Sequence, residues 1–312
     1  MITSLVAFLS LASAPLVAHE PVVIPGPAAK FDFMNIDAAN GFVLACHPGN
    51  KALAVLNLKT GNAVDVSLDT EVNGVSANSK GHQVFAAGPG QQLVLIDSKT
   101  WKVTERLPLT GPGDCVQYSI KRGVVYVDND DGTNLWVVAP KPLKLKATVT
   151  IHEAPEYMEI DEARGVIYQA IKSTSTVQVV DLKTNLVKAE WKLGELTSPH
   201  GLAVDLPAGL IFVAGKNGKL VTLDAKTGKL LGTLDVVTGS DQIAYDAGLK
   251  RIYIPGQSKI QVVQVTGTTT AILGSVPVQK DTHRVAIDPK SHDVYVAFND
   301  GTHSNFQRFS LK

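Results

Sequence analysis

The chain of 312 residues carries 29 basic and 29 acidic side chains, with 45% hydrophobic and 19% charged residues. This balance is typical of a soluble globular protein and argues against a disordered or fibrous chain. A formal net charge of zero gives no general attraction to polyanions, so we expect no nucleic-acid partner.

The N-terminal segment has the order of residues found in secretory signal peptides. An apolar run over residues 5–11 is followed by the small residues Ala12–Ala14 and then by Ala18. We place cleavage after Ala18, because cleavage after Ala14 would leave Pro15 at the new N-terminus. The first four residues lack Lys and Arg, and a buried N-terminal strand or helix is the alternative. The pattern predicts residues 1–18 as a signal peptide of a periplasmic or secreted protein.

Self-comparison shows one unit repeated along the chain. Its clearest copies are Pro199–Asp205 followed by Leu210–Gly215, and Thr282–Asp288 followed by Val294–Ala297. In each copy the first strand ends at Asp, Asn or Ser, whose side chain can bond to the backbone of the next turn. We call these residues the anchors, and they recur every 41 to 44 residues at Asp37, Asn78, Ser119, Asp161, Asp205, Asp246 and Asp288.

Three further strand signals follow each anchor. The second strand is β-branched or aromatic, as in Val124–Val127, and the third ends near Asp or Asn, as in Val177–Asp181. A turn such as Lys226–Gly228 then opens a fourth strand. Because one such sheet cannot bury both of its faces, the units must stack as the blades of a propeller. The sequence therefore predicts an all-β fold, a seven-bladed β-propeller with four antiparallel strands in each blade.

The last unit ends without a fourth strand, whereas Val22–Ile24 precedes the first unit without a partner. We expect this segment to pair onto the last blade and close the ring, which makes residues 19–312 a single domain. Cys46 and Cys115 are the two cysteines, and the register places a whole blade between them. That separation of ~20 Å exceeds the ~7 Å Cα limit for a disulfide, so we predict two free thiols.

The run Gly201–Asp205 with Gly209–Ala214, repeated and followed by units such as Val179–Thr184, resembles the YVTN-type propeller repeats of exported and surface bacterial proteins. These repeats are close to the NHL repeats. The resemblance covers about residues 32–311 and implies a propeller fold. Propellers of this kind include binding modules, lactonase-like hydrolases and domains of redox enzymes. A lactonase-like or lyase-type relative would hold its metal at the channel mouth.

A polar ring is predicted at one mouth of the central channel. The first strand of each blade lines this channel, so the residues five positions before the anchors meet there. All seven are polar: Asp32, Asn73, Asp114, Glu156, His200, Asp241 and His283. At the next position, Tyr157 with Phe33 forms either a ligand wall or a cover of the core. Arg284 either grips an anionic ligand or pairs with a neighbouring carboxylate, which we favour. The ring together with Tyr157 and Arg284 is the predicted ligand-binding set.

The ring also has the side chains for a metal site. Imidazole and carboxylate groups suit Zn, Mn or Ca, and the predicted ligands are His200, His283, Asp241 and Glu156. The alternative is that strand starts beside a wet channel are simply polar. The acidic loop Asp128–Gly132 lacks the ligand spacing of a calcium loop and is predicted to be a solvated turn.

Three functions remain open on the sequence. The favoured one is an exported, monomeric binding module without a membrane span, which takes a protein, peptide or small-molecule ligand at the mouth. The second is a metal-dependent lactonase-like hydrolase or lyase with a ring carboxylate as general base. The third is a partner subunit of an electron-transfer system. The sequence has no nucleophile elbow, phosphate loop, haem-attachment motif or dinucleotide fingerprint.

Overall fold

Each blade begins at the channel and runs outward as an antiparallel meander, and seven such sheets close a ring. The computed structural model describes residues 15–312. Its architecture confirms the predicted seven-bladed β-propeller. Most of the predicted signal peptide lies outside the described residues. Within residues 15–312, no helix is long and apolar enough to cross a membrane.

The strands follow the predicted register. Blade 1 contains Met34–Asp37, Phe42–His47, Ala52–Asn57 and Ala63–Ser67. Blade 2 contains Gly74–Asn78, Gln83–Ala87, Gln92–Asp97 and Lys102–Pro108. Blade 3 contains Gly113–Ser119, Val124–Asn129, Asn134–Pro140 and Leu143–Thr150. Blade 4 contains Pro155–Asp161, Val166–Ile171, Thr176–Asp181 and Leu186–Lys192. Blade 5 contains Pro199–Asp205, Leu210–Gly215, Lys219–Asp224 and Leu230–Asp235. Blade 6 contains Ala244–Asp246, Arg251–Gly256, Lys259–Thr266 and Thr269–Pro277. Blade 7 contains Ala286–Ile287, Val294–Asn299 and Ser304–Leu311, joined by Leu16–Ala18 and Val22–Ile24. Short 3-10 turns occur at Pro48–Asn50 and Ser79–Gly81.

The anchors stop the first strands as predicted. In every blade the anchor side chain accepts a hydrogen bond from a backbone N–H two or three residues ahead. Several anchors also bond to the next blade. The Ser79 hydroxyl donates to Asp37 at 2.5 Å, and the His292 ring lies 2.8 Å from Asp246. The anchors therefore cap strands and clamp neighbouring blades on one face, which we call the lower face.

The core lies between the blades. The residues three positions before the anchors are all at most 4% exposed: Met34, Val75, Val116, Met158, Leu202, Ile243 and Val285. Cys46 and Cys115 are buried in this core as free thiols, in agreement with the sequence.

The N-terminal segment closes the ring. Val22–Ile24 pairs antiparallel with residues 304–306 of the last strand, which confirms the predicted closure. Leu16–Ala18 extends this pairing to residues 309–311, and the Leu16 side chain is buried. The sequence analysis did not predict this extension, because it assigned these residues to the signal peptide.

His47 locks the first blade to the last. Its ring is fully buried, stacks on Phe31 at a centroid distance of 4.2 Å, and places Nε2 3.0 Å from the Ser304 hydroxyl. Its Nδ1 lies 2.9 Å from the Asp65 carboxylate. These contacts give His47 a structural role in closure.

Candidate functional site

The first strands bring the predicted ring together at the upper mouth of the channel. Neighbouring members contact each other in two places. Asn73 Nδ2 donates to Asp114 Oδ1 at 3.1 Å, and Glu156 Oε1 lies 3.2 Å from His200 Nε2. We call the seven residues five positions before the anchors the mouth ring.

Arg284 ties three blades together at the mouth. Its Nη2 lies 3.1 Å from Asp32 of blade 1 and 2.9 Å from Asp241, just ahead of the first strand of blade 6. The two ion pairs confirm the interpretation of Arg284 as a partner of neighbouring carboxylates. They also hold Asp32 and Asp241 close to one cation.

Two lysines that the sequence analysis missed complete this network. Lys172 Nζ lies 2.8 Å from Glu156 and 3.4 Å from Asp130, and Lys216 contacts the Asp241 carboxylate. Both lysines stand directly after the second strand of their blades, eleven residues beyond the anchors Asp161 and Asp205. The same register that located the mouth ring was therefore a signal that could have found them.

Burial favours the neutral forms of both Glu156 and His200. Burial raises the pKa of Glu156 to about 7, although nearby Lys172 opposes this shift. Burial, together with the positive charge of Lys216, lowers the pKa of His200 to about 4. His200 Nδ1 lies 2.8 Å from the Ser198 carbonyl and donates to it, which leaves Nε2 as an acceptor. Near neutral pH the protonated form of Glu156 therefore donates to a neutral imidazole.

The carboxyl groups of blade 3 form an acidic region beside this pair. Asp128 is fully buried and accepts hydrogen bonds from the Cys115 N–H at 2.6 Å and from Gln169 Nε2 at 2.9 Å. Burial and then the charge of Glu156 raise the pKa of Asp114 well above its ordinary value. The sequence predicted a solvated turn for the acidic loop, and the structure shows this for only part of it. That prediction holds for the exposed Asp131 and is wrong for Asp128, whose hydrogen bonds keep it inside.

The two carboxylates among the predicted metal ligands are engaged with the chain's own cations. Glu156 pairs with Lys172, and Asp241 pairs with both Lys216 and Arg284. Among residues 15–312, no group of three or more His, Cys, Asp or Glu side chains is arranged to hold a metal ion. The donor set present does not fit a divalent cation, and metal binding stays a prediction without support from this geometry.

A floor closes the channel below the mouth ring. The rings of Phe33 and Tyr157 meet edge to face with centroids 5.3 Å apart, although they come from blades on opposite sides of the channel. Gln242 reaches across to blade 1, where Nε2 donates to the Met34 carbonyl at 2.8 Å and Oε1 accepts from the Met34 N–H at 2.9 Å. Gln242 Nε2 also lies 3.3 Å from the Tyr157 hydroxyl. Tyr157 is therefore part of a buried floor rather than an open ligand wall.

A pocket of about 220 Å³ opens between blades 7 and 1 at the upper mouth. We call it the 7–1 pocket. It contains three cationic side chains and two carboxylates, beside an apolar wall from two phenylalanines: Lys30, Lys280, Arg284, Asp32, Asp281, Phe31 and Phe298. His283 also lines it. One nitrogen of these lining residues, Arg284 Nε, is buried without a hydrogen-bond partner in the described part of the chain.

Comparison with known proteins identifies the fold and nothing finer. No protein-family model and no curated protein sequence matches this chain. Many solved structures match, and one is a chain in a crystal structure of a mitotic checkpoint complex. That similarity has a TM-score of 0.80 at 13% identity and covers 99% of this chain and 96% of that chain. At this identity the match shows a β-propeller, so the resemblance to YVTN-type repeats stays a prediction from sequence.

Proposed function

We propose that this protein is an exported binding module that takes a carboxylate group in the 7–1 pocket. The observation that carries the proposal is the buried Arg284 Nε, which has no hydrogen-bond partner in the described part of the chain and belongs to a residue that lines this pocket. A buried donor without a partner loses free energy, which a ligand acceptor recovers.

The guanidinium group has capacity left for a ligand. Both of its ion pairs, to Asp32 and to Asp241, use Nη2. Arginine offers five N–H donors in a planar fork that matches a carboxylate. A ligand carboxylate that reaches Nε therefore does not need to displace either ion pair.

The pocket favours an anion of small size with an apolar part. Lys30 and Lys280 add positive charge beside Arg284. The three cationic groups outnumber the two carboxylates of the lining, Asp32 and Asp281. Phe31 and Phe298 add apolar surface to the lining of the pocket. A volume of about 220 Å³ admits a short organic acid or the last residue of a peptide.

Calorimetric titration tests this function. The probes are acetate, benzoate and succinate, together with one short peptide that has either a free or an amidated C-terminus. The variant is Arg284→Gln, and the matched control is Arg308→Gln, since Arg308 pairs with Asp293 on blade 7 away from the pocket.

We expect saturable binding of at least one carboxylate, weakened at least about ten-fold by Arg284→Gln and unchanged by Arg308→Gln. Binding of the free peptide but not of the amidated peptide assigns the site to C-termini, and binding of the acids alone assigns it to small molecules. Absence of saturable binding for every probe, or equal affinity in both variants, contradicts the proposal.

Export rests on the leader pattern of residues 1–18. Cleavage after Ala18 removes the strand Leu16–Ala18 and leaves the closing strand Val22–Ile24 in place. Mass spectrometry of protein recovered from a periplasmic or culture-medium fraction gives the N-terminus. Recovery of an uncleaved chain from the cytoplasm alone contradicts export.

A further inference from the structure

A second cavity lies below the floor, on the far side from the mouth ring. It has a volume of about 270 Å³ and extends from Tyr157 and Gln242 down to the rim residues Ile36, Val204, Tyr245 and Ile287. We call it the lower vestibule. The Phe33–Tyr157 contact and the Gln242 bridge separate it from the 7–1 pocket.

The wall of the lower vestibule is made by the residues two positions before the anchors. In blades 5, 6 and 7 these are Ala203, Ala244 and Ala286, in blade 1 the same position is Asn35, and in blade 4 it is Glu159. Three alanines on one side leave space beside a single carboxyl group. The small side chains at three of these positions therefore leave room for a ligand in the cavity that Glu159 lines.

Glu159 has no cationic partner inside this cavity. No Lys, Arg or His is among the described residues that line it. Burial is the cause that raises the pKa of Glu159 to about 8, and no neighbouring charge or hydrogen-bond donor offsets it. The titratable groups close to it, Cys115 and Tyr157, are kept neutral because burial raises the pKa of both, as it does for Tyr245 at the rim.

We propose that the lower vestibule binds a small primary ammonium ion, with its charged head paired to Glu159 and its alkyl chain against the alanine wall. An ammonium group brings three donors and a positive charge to a carboxyl that lacks both. The apolar rim of Ile36, Val204 and Ile287 suits the passage of the alkyl part. This site is distinct from the mouth and takes a ligand of opposite charge.

Calorimetry with n-butylammonium at about pH 8.5 tests the proposal, with n-butanol as the neutral analogue of the same shape. Glu159→Gln removes the ion pair, and Ala244→Leu fills the cavity without a change of charge. Glu153→Gln is the matched control, because Glu153 is exposed in the loop before blade 4.

We expect one butylammonium ion to bind per chain, with affinity reduced at least about ten-fold by Glu159→Gln and by Ala244→Leu and unchanged by Glu153→Gln. Equal binding to wild type and Glu159→Gln, equal binding of n-butanol, or no saturable binding overturns the proposal. Arg284→Gln is run in parallel, since loss of carboxylate binding at the mouth with intact butylammonium binding shows that the two sites are independent.

Proton release gives a second readout that a merely structural role would not produce. Near pH 7 the free Glu159 is protonated, so pairing with an ammonium ion releases up to one proton. The binding enthalpy of wild type should then vary with the ionisation enthalpy of the buffer. An enthalpy independent of the buffer contradicts ionisation of Glu159 on binding.

Discussion

Phe33 and Tyr157 meet edge to face across the central channel, with ring centroids 5.3 Å apart, although 124 residues separate them in sequence. This contact separates the 7–1 pocket from the lower vestibule. Cationic residues line the 7–1 pocket above it, and a lone carboxyl group lies in the vestibule below. A ligand that enters one compartment therefore meets chemistry different from that of the other.

The floor should contribute substantially to stability. Phe33→Ala removes a ring that is 4% exposed and is expected to lower the free energy of unfolding by about 3 kcal/mol. Tyr157→Phe is the control, because it keeps the ring and loses the hydroxyl contact to Gln242, for a cost of about 1 kcal/mol. Urea denaturation measures both. Equal losses in the two variants would show that the rings do not pack as described.

Ring closure should weaken in two steps as the N-terminus is shortened. A chain that begins at residue 19 loses the strand Leu16–Ala18 and the buried Leu16 side chain. A chain that begins at residue 28 also loses Val22–Ile24 and leaves the edge of the last strand bare. We expect the chain that begins at residue 15 to have the highest melting temperature, the chain that begins at residue 19 a lower one, and the chain that begins at residue 28 the lowest. An unchanged value for all three would make this segment a tail.

Glu159 should make stability depend on pH in a predictable direction. Burial raises its pKa to about 8 from 4.5, so the folded chain keeps a proton that the unfolded chain loses. The stabilisation by the neutral acid is fully present below pH 4.5 and is lost as pH rises through about 8. Relative to Glu159→Gln, wild type should therefore lose on the order of 4 kcal/mol between about pH 4.5 and about pH 9.

Urea denaturation of both proteins across that pH range gives the difference directly. Glu156 and His200 are present in both proteins, so their contributions to the pH dependence of stability are the same and drop out of the difference. Parallel stability curves would mean that the Glu159 carboxyl is solvated and that its pKa is not raised by burial.

Metal binding at the mouth should be weak or absent. Lys172, Lys216 and Arg284 already contact Glu156 and Asp241, so a divalent cation must displace them. Calorimetric titration with Zn²⁺, Mn²⁺ and Ca²⁺ at about pH 7.5 should show no saturable uptake. Stoichiometric binding that disappears in a His200→Ala, His283→Ala variant would restore the metal hypothesis.

Repeat register predicted the parts of this fold that depend on strand position. A side-chain oxygen that caps a strand must occur at its end, so the anchors located all seven first strands and hence the mouth ring. Register cannot tell how far a long side chain reaches. Lys172 and Lys216 enter the network because flexible side chains extend from the next loop.

Repeat register also could not predict the floor and the vestibule, because both depend on side-chain positions. Phe33 and Tyr157 meet because their side chains turn toward the channel axis from separate blades, which depends on rotamers and on the radius of the ring. Glu159 looked like any alternating strand residue. Its isolation follows from alanines at the same position of three other blades, and their combined effect is visible only once the blades surround one space.

The most direct test of the binding function is a crystal structure of the chain grown with benzoate. We expect the benzoate carboxylate in the 7–1 pocket within hydrogen-bond distance of Arg284 or His283, with its ring against Phe31 or Phe298. A pocket that holds only solvent at saturating benzoate, or benzoate bound elsewhere on the propeller, would contradict it.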